Sequence, residues 1–257
     1  MLRHFGVKRT YAHNLKLAVL LSLTAGFVNA AGFLGFSALT TNVTGHAALF
    51  AEGIARQDWA IARTVAIWMM LFLAGAFSSS IIVTKIGHNA RFSFAIPIVL
   101  ETLILLFSAF SASITYLNFS SNFFAGTLLF AMGMQNALVS VISGSVVRTT
   151  HLTGTFTDLG IELAQLRTDN YAAQGELISR IKLRISIILF FMAGALSGAY
   201  LFTFISFRSF LIPASLLGFT LLYDVFRINM KRYYSNFRAR SKGKGLLISA
   251  KDVNLYK

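Results

Sequence analysis

The chain has 257 residues, of which 56% are hydrophobic and 12% charged, and its mean hydropathy is +0.67. Soluble domains carry about 25% charged residues, so the composition argues against a soluble enzyme and a disordered chain. The lack of cysteine excludes a disulfide scaffold, thiolate chemistry and a Cys-based metal site. A net charge of +14 would suit nucleic acid, but the basic residues sit at the ends and between long apolar runs, which is a membrane pattern.

A bilayer core of about 30 Å takes about 20 mostly apolar residues in helical form. In chain order the runs are Leu17–Leu39, Thr64–Thr84, Phe92–Tyr116, Phe123–Val147 and Ile185–Phe207, with a shorter sixth at Phe210–Tyr223. The sixth is short for a span, so it either extends past Asp224, tilts or is partly re-entrant. The runs are continuous rather than alternating, which predicts helices. The expected fold is all-α: a polytopic membrane protein of about six transmembrane helices over residues 1–226, with a basic tail at 227–257. Val28-Asn29-Ala30 resembles a signal-peptidase site, but the apolar run continues to Leu39, so this segment is read as a span.

Lys and Arg set the orientation. With the N-terminus inside, segments 1–16, 85–91, 148–184 and 224–257 hold 4, 2, 5 and 9 basic residues, 20 of the 23. Only Arg56, Arg63 and Arg208 fall outside. This bias predicts a multi-pass membrane protein with an even number of spans and both termini cytoplasmic. The tail interleaves Arg227, Lys231, Arg232, Arg238, Arg240, Lys242 and Lys244 with Tyr233, Tyr234 and Phe237. It suits anionic lipid of the cytoplasmic leaflet, at about 1 kcal/mol per basic residue. An RNA-binding tail is disfavoured because the positive-inside bias already explains the charge, so no nucleic-acid partner is expected. A homo-oligomer is left open.

Self-comparison reveals an internal repeat. Gly26-Phe27-Val28-Asn29-Ala30 matches Gly133-Met134-Gln135-Asn136-Ala137, and Thr41-Asn42-Val43-Thr44-Gly45 matches Thr150-His151-Leu152-Thr153-Gly154. Ala74-Gly75-Ala76 matches Ala193-Gly194-Ala195, and Ile96-Pro97 matches Ile212-Pro213, which holds the other of the two prolines. The order is kept, and the offsets are 107, 109, 119 and 116. Each half (about 15–116 and 120–226) would hold three spans, and an odd number turns the second copy upside down. A 3+3 inverted-topology repeat is a common transporter plan, with its site between the halves. A duplicated bundle without transport is the alternative.

The same segments, above all Val147-Arg148-Thr149-Thr150-His151-Leu152-Thr153-Gly154-Thr155-Phe156-Thr157-Asp158-Leu159-Gly160, resemble the YoaK family of bacterial membrane proteins over roughly residues 15–225. The resemblance implies an inner-membrane protein of about six helices and supplies no substrate, since the family is defined by a domain of unknown function. Asn29 stands where those proteins usually have Asp, and His46 where Asn commonly follows the first Thr-Gly.

Several residues could carry chemistry. Thr is a good N-cap, and a helix starting at membrane depth presents a positive dipole end. Residues 46–55 and 155–166 are expected to form two such half-helices, with Ala47, Ala48, Leu49, Phe50 and Ala51 packed inside the bundle. They would bring Thr41, Asn42, Thr44, Thr150, His151 and Thr153 to one small-solute site; capped junctions at the membrane surface are the alternative. Asn29 and Asn136, inside apolar spans, need partners. They either bond each other across the pseudo-twofold or line a polar pathway with Gln135. Glu101 is the one acid deep in a span, a functional candidate by default, and would serve as a proton carrier or hydrogen-bond to Ser, Thr or a carbonyl. Its repeat counterpart is near Leu217.

Arg148 and Asp158 are expected to pair at the cytoplasmic edge. Asp158 is a second candidate for proton coupling, and Arg148 is also a candidate contact for a substrate carboxylate. His46 and His151 are read as capping or hydrogen-bonding residues, not as a metal site. Gly75/Ser79 and Gly194/Gly198 have the small-x-x-x-small spacing of close helix packing, and the 25 phenylalanines read as lipid-facing bulk. Hydrolase, phosphate-loop and metalloprotease motifs are missing, so no enzyme activity and no cofactor are expected. The reading is a permease-like secondary transporter for a small polar or anionic solute, with proton coupling through Glu101 or a cytoplasmic group. The other class is a non-transporting membrane scaffold or regulator that binds lipid or a partner protein through its tail.

Overall fold

The computed structural model describes residues 11–87, 94–112, 119–168 and 174–222. The basic tail, the first ten residues and the ends of the third predicted run lie outside them. The chain divides into two units, Met1–Gly218 and Phe219–Lys257, and of the second only 219–222, which are helical, are described.

Among the described residues the fold is all-helical: α1 (Tyr11–Phe36), α2 (Val43–Ala55), α3 (Trp59–Ile86), α4 (Ala95–Ser111), α5 (Ser121–Ser143), α6 (Leu152–Thr168) and α7 (Gln174–Ile205). A 3-10 turn, Ser206–Phe210, leads into a last helix, α8, over 211–222. Four stretches are long and apolar enough to cross a membrane: α1, α3, α5, and the continuous run Gln174–Leu222. This is the build of a membrane protein. α4 is apolar but has only 17 residues.

Local chemistry sets the helix ends. Asp58 caps α3 through its side chain, which accepts from the Ile61 N–H at 3.0 Å, so the helix starts before the apolar run does. Ser120 caps α5 in the same way at Phe123. Gly144, in the left-handed region at φ 63°, stops α5 short of the apolar Val146 and Val147. Both prolines are buried in the first turn of their helices, Pro97 in α4 and Pro213 in α8, where no backbone N–H is needed.

α1 packs chiefly against α7, and α3 chiefly against α5. Glycine permits both close approaches. A methyl on Gly26 would overlap the Phe191 carbonyl, and one on Gly194 the Leu23 carbonyl. In the other crossing, Gly75 lies against the Phe130 carbonyl and Gly133 against that of Phe72. These contacts correspond one to one at offsets of 107 (Leu23, Gly26 to Phe130, Gly133) and 119 (Phe72, Gly75 to Phe191, Gly194). The contacts also advance together along each pair: Leu23 and Phe27 meet Gly194 and Gly198, and Leu71 and Phe130 meet Gly126 and Gly75. The helices in each pair therefore run parallel. α1 and α5 are the inner members, with 61% and 67% of their most apolar windows buried, against 22% for α3 and for the α7–α8 run.

The short helices lie on the outside of the longer ones. α2 folds back along α3, with Gly53 against Ala62, and α6 lies on α7. Ala47, Ala48, Leu49 and Ala51 are exposed rather than packed inside the bundle: α2 buries only His46 and Gly53, because a single neighbouring helix covers one face alone. The phenylalanines also divide. Phe33, Phe77 and Phe204 are exposed, but Phe36, Phe124 and Phe210 are buried. Phe36 stacks on Phe124 and Phe207 at centroid distances of 5.3 and 5.1 Å, so part of this bulk is an internal aromatic plug at the α1–α5 junction.

Candidate functional site

Each inner helix is followed by a loop that ends on the first two residues of a Thr-x-x-Thr-Gly motif, the rest of which opens the next helix. The loop after α1 runs from 37 to 42, and that after α5 from 144 to 151. The second is two residues longer, which is why the offset grows from 107 to 109. In the first loop Thr40 donates its hydroxyl to the Val28 carbonyl at 3.2 Å, and the Thr41 N–H donates to Asn29 Oδ1 at 3.2 Å. Asn42 is the N-cap of α2, its Oδ1 accepting from Gly45 N–H at 3.0 Å; the cap is the amide, not a threonine hydroxyl. His46 Nε2–H donates to the Leu39 carbonyl at 2.9 Å, and its ring meets Trp68 edge-on at 5.4 Å. This histidine therefore ties α2 to its loop and to α3.

The second loop is held differently. Gln135 donates to the Leu21 carbonyl at 3.0 Å and to Thr149 Oγ1 at 3.2 Å. Ser143 Oγ accepts from Val147 N–H at 2.9 Å. Arg184 of α7 reaches Asp158 at 3.1 Å and Glu162 at 3.7 Å, and donates to the Val146 carbonyl at 3.4 Å. It thus fastens α6 and the loop to α7. The expected Arg148–Asp158 pair is not formed: Asp158 faces α7 across the α6–α7 packing, and Arg184 takes it. Among the described residues Arg148 has no ion-pair partner, and it is exposed.

A cavity of about 460 Å³ lies between the two loops. From the first half it is lined by Asn29, Thr41, Asn42 and Thr44. From the second it is lined by Asn136, Arg148, Thr150, His151 and Thr153. Nine of the ten binding residues expected from the sequence therefore share one space. Gln135 does not line it: its amide is spent on the Leu21 carbonyl of α1 and on Thr149 of the loop. The two asparagines do not bond each other: Asn29 Oδ1 takes Thr41, whereas Asn136 Oδ1 is buried without a partner. Glu101 and Asp158 do not line the cavity. Glu101 is fully buried in α4, and among the described residues neither carboxyl oxygen has a hydrogen-bond partner, so the bond to Ser, Thr or a carbonyl is not made there. Leu217, its counterpart at an offset of 116, is also fully buried.

Sequence reasoning missed Phe72 and Phe191, which line the same cavity at an offset of 119. The signal was present, since the Ala-Gly-Ala match extends upstream to a phenylalanine in both copies. Arg184 was missed as well, and no sequence motif marks it.

A family model matches residues 17–223: DUF1275, described as a protein of unknown function. The chain belongs to this family. No curated protein and no solved structure matches it.

Proposed function

We propose that the chain is a secondary transporter for a small polar or anionic solute, built as a 3+3 inverted repeat of six spans, with the cavity between the motif loops as its solute site. The observation that carries this reading is the cavity itself, walled by equivalent residues from both halves. A scaffold would be expected to have a filled interior. Paired glycine crossings at constant offsets support the repeat.

The parallel run of α3 beside α5 supports α4 as a span despite its length, because the chain must cross back between them. By the same logic α1 and α7 run parallel when α3, α4 and α5 cross and α2 and α6 do not. In that topology α1 and α5 end on opposite faces of the membrane. Their loops reach one cavity only by folding inward, which favours re-entrant motif segments. The positive-inside count favours both termini in the cytoplasm, and the likeness to the YoaK proteins favours a bacterial inner membrane.

Glu101 is assigned the proton-coupling role: a buried intramembrane acid with no partner is costly and needs a functional reason. The test is solute flux in proteoliposomes with and without a pH gradient. Flux that Glu101→Gln uncouples from the gradient fits the proposal. Unchanged proton-linked uptake in that variant removes the coupling role, and reporter fusions placing 169–173 outside the cell would overturn the topology.

A further inference from the structure

We infer that the ligand of the cavity between the two motif loops is a small organic monoanion, a carboxylate with an apolar body. This inference rests on that cavity being the solute site and narrows its chemistry.

The charge is the first ground. Among the described residues Arg148 is the one lining residue with a fixed charge, and no acid lines the space. The two acids of the adjoining helix α6, Asp158 and Glu162, are both engaged by Arg184. An unpaired guanidinium beside a cavity repels a cation and favours a carboxylate, whose two oxygens match its fork.

The second ground is the direction of the amides. Asn29 and Asn42 each have Oδ1 already taken, by the N–H groups of Thr41 and Gly45. With one of the two acceptor positions of each Oδ1 filled, the Nδ2 amide, a donor, is the larger part of what each offers a ligand. Asn136 has its Oδ1 buried as well. The three carboxamides at the cavity therefore have their acceptor ends occupied or turned away, which leaves a donor-rich wall. The first residues of α2 and α6, Val43 and Leu152, also line the cavity, and their helix ends add positive potential in the same sense.

The third ground is the apolar part of the wall. Phe72 and Phe191, one from each half, offer a surface that an inorganic oxyanion would not use but a hydrocarbon body would. A single cation also suits one negative charge better than two.

The test uses the full-length protein purified in detergent, with thermal unfolding followed at fixed ionic strength. A ligand of the folded state raises the midpoint in a saturable way. The matched probes are butyrate, butyramide, butylammonium and inorganic phosphate. Butyrate should stabilise and the other three should not. Arg148→Gln should weaken the butyrate response about ten- to a hundred-fold, the loss of a charge-assisted bond. Arg148→Lys should fall between, keeping the charge but not the fork. Without probe, both variants should melt like the parent.

A response to butyramide or butylammonium equal to that of butyrate overturns the inference, as does an Arg148→Gln variant that responds like the parent. Phosphate acting as well as butyrate overturns the organic part, and silence across the monocarboxylates from acetate to hexanoate overturns the whole. Flux separates this failure from that of the carrier reading. Carboxylate binding without flux leaves the inference standing and removes the carrier. Flux of a neutral solute that carboxylates do not compete removes the inference and leaves the carrier.

Discussion

Replacing Gly194 with alanine tests the packing on which the whole arrangement depends. The added methyl would overlap the Leu23 carbonyl oxygen and stand 2.9 Å from its carbon and 3.0 Å from the Leu23 Cα. Carbon atoms pack best at about 3.5–4.0 Å, so α7 and α1 must move apart by roughly 1 Å. The obstacle is backbone, and no rotamer change relieves it. Overpacking of this kind costs about 1–3 kcal/mol. At about 2–4 °C per kcal/mol for a chain of this size, the apparent melting midpoint in detergent should drop by about 2–12 °C. The pairwise pattern is more telling. Gly26 lies in the same crossing, so once one methyl has spread the helices the second costs less. Gly194→Ala with Gly26→Ala should fall short of additivity by at least about 0.5 kcal/mol. Gly75 lies in the other crossing, and Gly194→Ala with Gly75→Ala should add to within about 0.5 kcal/mol. Single substitutions without effect, or equal non-additivity in both pairs, would refute the picture of two separate, equivalent glycine crossings.

Three further substitutions probe the site and its supports. Arg184→Gln leaves the largely buried Glu162 without its cation, which should destabilise by about 2 kcal/mol given the partial exposure of the pair; adding Glu162→Gln should recover part of that loss in the same melting assay. Asn29→Ala breaks the bond to the Thr41 N–H and should cost about 0.5–1.5 kcal/mol, whereas Asn136→Ala, whose Oδ1 has no partner, should cost less; equal losses would count against the asymmetry between the two loops. Glu101→Leu puts at this position the residue found at its repeat counterpart. It should raise stability by about 1–3 kcal/mol by removing an unpartnered buried polar group, while abolishing the dependence of flux on a pH gradient; a less stable variant would point to a hidden partner for the carboxyl.

Much of the helical frame was legible because the apolar runs of α1, α3, α5 and α7 are long and uninterrupted. Their ends were not, since hydropathy does not register a cap: Asp58 starts α3 before the predicted Thr64, and Gly144 stops α5 before Val147. The lining of the cavity was legible in a recurring motif, because two occurrences of Thr-x-x-Thr-Gly make polar residues such as Thr44 and Thr153 stand out together. What one residue bonds to was not. Gln135 looked like a pathway residue from its neighbours Asn136 and Ala137, yet its side chain turns to Leu21. Asp158 sits ten residues from Arg148 and pairs instead with Arg184, which comes near only when α6 lies on α7. The exposed face of α2 was hidden for a related reason, since alanine and leucine suit a protein interior and a lipid-facing surface equally well.

A secondary transporter opens its solute site in turn to each side of the membrane, and the proposed site is the cavity between the motif loops. The chain has no cysteine, so single cysteines at Thr44 and Thr153 can be probed with a membrane-impermeant thiol reagent in right-side-out and inverted vesicles. Each position should be labelled from both sides, and a transported solute should slow both reactions. Labelling of either cysteine from one side only, unaffected by any solute, would contradict it.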